Sequence, residues 1–175
     1  MKIAELRERV RIAREDEASD RALREWLDEK VPRLHRSIRT REDAATTLFN
    51  FIQTYVERVP DMLEAAQSVA NHAKMRPQLI PVLKVAEEFF LPPGEMSETH
   101  RGLLVLLDEA YLAHWLVEEV NDHYVAHGGE SLIPMNNTRA NLIVHDLLGE
   151  EYAGRLDNAV YQAVAGLLPE EVFSS

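Results

Sequence analysis

Cysteine is absent from the 175 residues, which excludes disulfide scaffolds, thiolate metal sites and cysteine nucleophiles together. Glycine is scarce, with seven residues, and none has the spacing of a phosphate-cradling loop or a Gly-x-Ser-x-Gly elbow. A His-Glu-x-x-His zinc signature is missing as well. No stretch reaches the roughly 18 apolar residues of a membrane span, and the opening MKIAELRERVR has no apolar core of signal-peptide length. The expectation is a cytoplasmic protein with no membrane segment. The five methionines are scattered, which argues against a methionine-rich binding groove.

What is present is apolar material for one core. Hydrophobic residues make up 46% and charged residues 28% of the chain, the profile of an ordinary globular domain. The net charge is −11, but positive charge is scarce only in one part. Residues 1–41 carry 12 Lys and Arg against 9 acids, while residues 42–175 carry 7 against 21. An acidic body repels phosphate backbones. The basic residues of the first part alternate with acids, as in RERVRIARED, and read as a salt-bridged helix face. Nucleic acid is thus disfavoured as a partner. Residues 1–40 are read as a charged amphipathic helical hairpin or arm, and 41–175 as an acidic helical bundle within one domain. Such an arm would dock on an acidic surface, its own body or a second subunit, so a homo-oligomer through residues 1–40 is one expectation.

Apolar spacing is helical almost throughout. Ile3, Leu6, Val10 and Ala13 form the stripe of a first helix, and Ser19-Asp20 offers the cap of a second with Leu23, Trp26 and Leu27. Pro32 should kink or restart that helix. Thr40 is expected to cap a third helix through Leu48, Ile52 and Val56, and Asp61 with Glu64 a fourth directly after Pro60. A fifth runs from near Gln78 to Phe90 and stops at Leu91-Pro92-Pro93-Gly94. A sixth, about 97–126, is apolar nearly all round and therefore expected to be long, central and buried. Residues 138–148 form a seventh, broken by Gly149, and an eighth ends before Pro169. No segment alternates with period two, so no strand is expected. The predicted fold is all-α, a single-domain helical bundle of about seven or eight helices around that long central helix.

Ionisable groups on a buried helix are where chemistry would concentrate. His114 and Glu118 lie one turn apart on one face, with Tyr111 and Asn121 beside them. Glu119 and His123 form a second pair about 100° round the helix, and His145-Asp146 follows on the next helix. A histidine and a carboxylate one turn apart can share a metal ion, or the carboxylate can orient a histidine base. The metal candidates are therefore His114, Glu118, His145 and Asp146, with Glu119 and His123 as the second pair. Asp157 is a further ligand of the sort that an HD-type metal phosphohydrolase would need around its His-Asp dipeptide. Convergence would require His145 to approach His114 or His123.

Two other spellings fare worse. Ferritin-like bundles need Glu-x-x-His twice, and no such pair occurs here. Glu95-Met-Ser-Glu98 and Glu119-Val-Asn-Asp122 match in letters the acidic halves of all-α nucleotide pyrophosphohydrolases. On one continuous helix, however, 21 residues span roughly 31 Å, too far for one magnesium ion.

The reading is a non-enzymatic helical protein–protein interaction or regulatory protein, of adaptor or immunity type. It would act through an acidic surface on a basic protein partner, with Glu95, Glu98, Glu150 and Glu151 as contact residues. No cofactor is required by the sequence. The alternative is a metal- or cofactor-dependent helical enzyme with one metal ion at the His/Glu site on the central helix, where Tyr111 or Glu119 would transfer protons.

Overall fold

A computed structural model describes residues 1–34, 44–91, 102–134 and 137–167. Among them are seven α-helices and no strand: α1 (Ile3–Glu15), α2 (Glu17–Lys30), α3 (Ala44–Ala70), α4 (Arg76–Phe90), α5 (Leu103–Ala126), α6 (Thr138–Leu148) and α7 (Glu150–Leu167). The all-α bundle expected from the apolar spacing is what forms. A 3-10 turn, Val31–Arg33, follows α2 across Pro32, the restart that a residue without an N–H imposes. Gly149, with φ +90°, separates α6 from α7, a backbone angle that residues with a Cβ seldom adopt.

The long helix expected over about 97–126 is shorter and does not hold the centre alone. Gly102 is extended (φ −80°, ψ 156°) and α5 begins at Leu103; residues 97–101 lie outside the described residues, as do Glu95 and Glu98. The 31 Å estimate for the Glu98–Glu119 separation assumed an unbroken helix, and that premise falls with the extended Gly102. At 27 residues α3 is longer than α5. These two helices share the middle, α5 packing against α4, α3 and α7 and α3 also against α1 and α2.

The reason α3 is so long is that Pro60 does not end it. The expected cap at Asp61 and Glu64 is replaced by a helix that runs through the proline, which is buried within it. Asp61 and Glu64 instead receive Arg7 of α1, at 2.9 and 2.7 Å. The small residues beyond Pro60 behave as their size predicts, with Ala66 and Ala70 fully buried. The cap of α2 also differs. Asp16, not Ser19 or Asp20, accepts from the Ala18 and Ser19 amides. Ser19 is used elsewhere, its Oγ accepting from the Leu103 amide at 2.7 Å. It supplies from α2 the cap that Gly102 cannot give α5. Thr40 falls outside the described residues.

The first two helices lie on the rest of the chain. Leu6, Val10, Ala13, Leu23 and Leu27 belong to the same buried cluster as α3 and α5. Around that stripe the basic residues meet acids of the body. Arg14 pairs with Glu57 and Arg9 with Glu109, both at 2.5 Å. Arg9 is buried, donates to the Phe90 carbonyl and lies against the Phe90 ring. Burial pushes the Glu109 carboxyl up to about 7, against the pull of Arg9.

Candidate functional site

Two polar residues that sequence spacing singled out on α5, His114 and Glu118, are nearly inaccessible, and so is Asn141 of α6. A polar group inside a core is tolerated only when its hydrogen bonds are made, and here they are made across three helices. Nε2 of His114 faces the Tyr55 carbonyl at 2.8 Å. A carbonyl can only accept, so Nε2 carries the proton and donates. Tyr55 lies in the turn of α3 ahead of Pro60, where a proline loosens the backbone ladder. The other ring nitrogen, Nδ1, is left as an acceptor and takes the Asn137 amide at 3.3 Å, with the Met62 sulfur 3.1 Å away. The His114 ring also lies against the Tyr55 ring, with centroids 4.3 Å apart. Burial holds the imidazole down to about 4, so it is neutral across the physiological range.

Glu118 faces the start of α6. Thr138 Oγ1 donates to one carboxylate oxygen and Asn141 Nδ2 to the other, while the Asn141 carbonyl oxygen accepts from the Tyr55 hydroxyl at 2.7 Å. No basic side chain is paired with this carboxylate among the described residues. Two donors and the positive end of α6 stand in for one. Burial keeps the Tyr55 hydroxyl protonated far above its usual range, so it remains the donor. The result is a continuous chain from α3 through α6 to α5.

The other candidates are elsewhere and otherwise engaged. Glu119 and His123 meet each other at 3.3 Å in a half-exposed i,i+4 pair. His145 lies 3.7 Å from Asp157, whose second oxygen accepts from the Tyr111 hydroxyl at 2.5 Å. Burial and that bond hold the Tyr111 hydroxyl protonated well above its usual range. A parallel contact ties the Tyr152 hydroxyl to Asp108 at 2.7 Å, raising it to about 12. Asp146 is exposed. The convergence of His145 on His114 or His123 that a shared metal would need is not among these contacts: His145 meets Asp157 and the Tyr111 ring, and His114 meets Tyr55, Met62 and Asn137. No group of three His, Asp or Glu placed to hold a metal ion exists among the described residues. The physical reason is that each donor atom of His114 and Glu118 already faces a protein partner.

Asn121, which spacing put beside His114, does a different job. Its side-chain oxygen accepts from the Leu132 amide at 2.7 Å and from Ser131 Oγ at 3.2 Å. Leu132 and Ile133 are buried in the core, and Ser131 and Leu132 are tied to α5 through Asn121.

Sequence reasoning missed Tyr55, Asn141, Thr138, Asn137 and Met62 as the partners of His114 and Glu118. One signal was available: Asn141 shares the stripe of Val144 and Leu148, an amide at a core position of an amphipathic helix. The other partners are remote in sequence. No protein-family model, no curated protein and no solved structure matches this chain.

Proposed function

We propose that the protein is a non-enzymatic interaction protein that engages a basic protein partner through the acidic outer surface of α5, α6 and α7. One observation carries this reading: three arginines of the first helix are used internally. Arg7, Arg9 and Arg14 pair with Asp61, Glu64, Glu109 and Glu57, which leaves few basic counterparts for the acids further along the chain. Residues 102–167 contain ten Asp and Glu against two arginines, Arg139 and Arg155, and Arg155 is already with Glu151. Asp122, Glu130, Asp146, Glu150 and Glu151 are exposed. Leu142 and Tyr161, 62% and 51% exposed, stand on the same two helices as the last three acids. Exposed apolar side chains among carboxylates supply contact area where charge alone would supply only attraction.

The buried His114–Glu118 network supports this assignment by occupying the residues an enzyme would need. The apolar stripes of α1 and α2 are covered by their own chain, so this reading puts the partner surface on the later helices.

The test is a capture experiment at about 50 mM and about 500 mM salt, ionic strengths that bracket the range where charge steering fades. Native protein is compared with a variant carrying Asp146→Lys, Glu150→Lys and Glu151→Lys. The proposal predicts a basic protein retained by the native chain at low salt, lost at high salt and not retained by the variant. Equal retention by native and variant chains would refute it.

A further inference from the structure

A second feature of the surface has a different electrostatic character. A cleft of about 760 Å³ lies where the turn between α3 and α4 faces the end of α5 and Gly128-Gly129. His72, Lys74 and His127 line it, against the single carboxylate of Glu130. In a chain of net charge −11 with its histidines neutral, Lys74 balances Glu130 here, and two histidines beside them can add positive charge. None is consumed by an ion pair among the described residues, unlike Arg7, Arg9, Arg11 and Arg14.

One of the groups, His127, is held by local structure. His127 Nδ1 sits 2.8 Å from the His123 carbonyl, so Nδ1 donates there and Nε2 has no partner among the described residues. Tyr124 packs its ring on Gly129, whose hypothetical Cβ would fall within that ring. The absence of a side chain at Gly129 is what lets the phenol lie along the cleft wall. Val69 and Met75 add apolar lining. Concave shape, an apolar lining and a few unsatisfied polar groups are the general features of a small-ligand site.

We propose that this cleft binds a small organic anion, a carboxylate or phosphate attached to an apolar body. Lys74 and the two histidines receive the anionic group, and the apolar body lies against Tyr124 and Met75. The size fits a ligand of metabolite dimensions. Glu130 opposes the anion and sets a limit on affinity.

Phenyl phosphate is the probe, titrated into the full chain at low salt and followed by the ring signals of all seven histidines and the amides of Gly128 and Gly129. The expected result is a saturable shift confined to His72, His127 and the two glycines. Lys74→Glu should weaken binding about tenfold or more, and Glu130→Gln should tighten it about threefold, the effect of one charge at close range in a half-solvated site. Lys74 and Glu130 are exposed, and unchanged melting of both variants separates lost binding from lost fold. No saturable shift up to about 10 mM, weaker than any useful affinity, would overturn the proposal. So would equal shifts with phenethylamine, or binding unaffected by Lys74→Glu.

Discussion

The His114 imidazole and the Glu109 carboxyl make opposite demands on pH. His114 has its folded value lowered from 6.5 to about 4. As pH falls through that window the unfolded chain takes a proton that the folded chain refuses, and stability is lost. Glu109 has its folded value raised from 4.5 to about 7. The penalty for a buried carboxylate is fully present above 7, and it is relieved as pH falls towards 4.5. Each effect is on the order of 3 kcal/mol, and they largely offset between about pH 6.5 and 4.5. Glu109→Gln removes one of the two. Melting temperatures at pH 7.5 and 5 should therefore fall more steeply towards acid in the variant than in the native protein, and parallel profiles would contradict this account.

Asn141 joins Tyr55 to Glu118, so its removal orphans two groups at once. Asn141→Ala leaves the Tyr55 hydroxyl and one Glu118 oxygen buried without partners. A loss of about 2–4 kcal/mol is expected by denaturant titration. A loss below about 1 kcal/mol would mean that water enters and replaces the amide.

Among the elements, local punctuation was legible and remote partnership was not. The bounds of α6 follow from the polar loop before it and Gly149 after it, and the turn after α2 follows from Pro32. Pro60 misled because proline propensity is a local rule, and burial of the surrounding α3 side chains overrode it. Ser19 misled in a more instructive way. Its residue type does signal a helix cap, but the helix it caps starts 84 positions later, and no sequence window contains both ends of that bond. The same holds for His114 and Tyr55, 59 positions apart. The one-turn spacing of His114 and Glu118 marked both residues correctly as unusual. It could not say that one would turn to α3 and the other to α6.

Ser19→Ala offers a test at this scale. It should cost about 1 kcal/mol, and hydrogen exchange should quicken in the first turn of α5, not in α2, where Asp16 provides the cap. Faster exchange confined to α2 would show the cap to be local after all.

For the molecule as a whole, the central division is between α1, whose arginines are paired, and the later helices, where acids outnumber bases. Arg7, Arg9 and Arg14 of α1 are matched to acids of α3 and α5, the buried carboxylate of Glu118 is matched to α6, and Asp122, Glu130, Asp146, Glu150 and Glu151 face outward. No described helix is long and apolar enough to cross a membrane. A surface with one sign in excess accelerates encounters with the opposite sign, and salt removes that acceleration.

The most direct measurement is the association rate constant between this protein and its captured basic partner as a function of ionic strength. Our account predicts a fall of about tenfold or more between low and high salt with little change in dissociation rate, and a low, salt-insensitive rate for the Asp146→Lys, Glu150→Lys, Glu151→Lys variant. A native association rate that ignores salt, or matches that of the variant, would contradict the claim that the acidic face is the working surface.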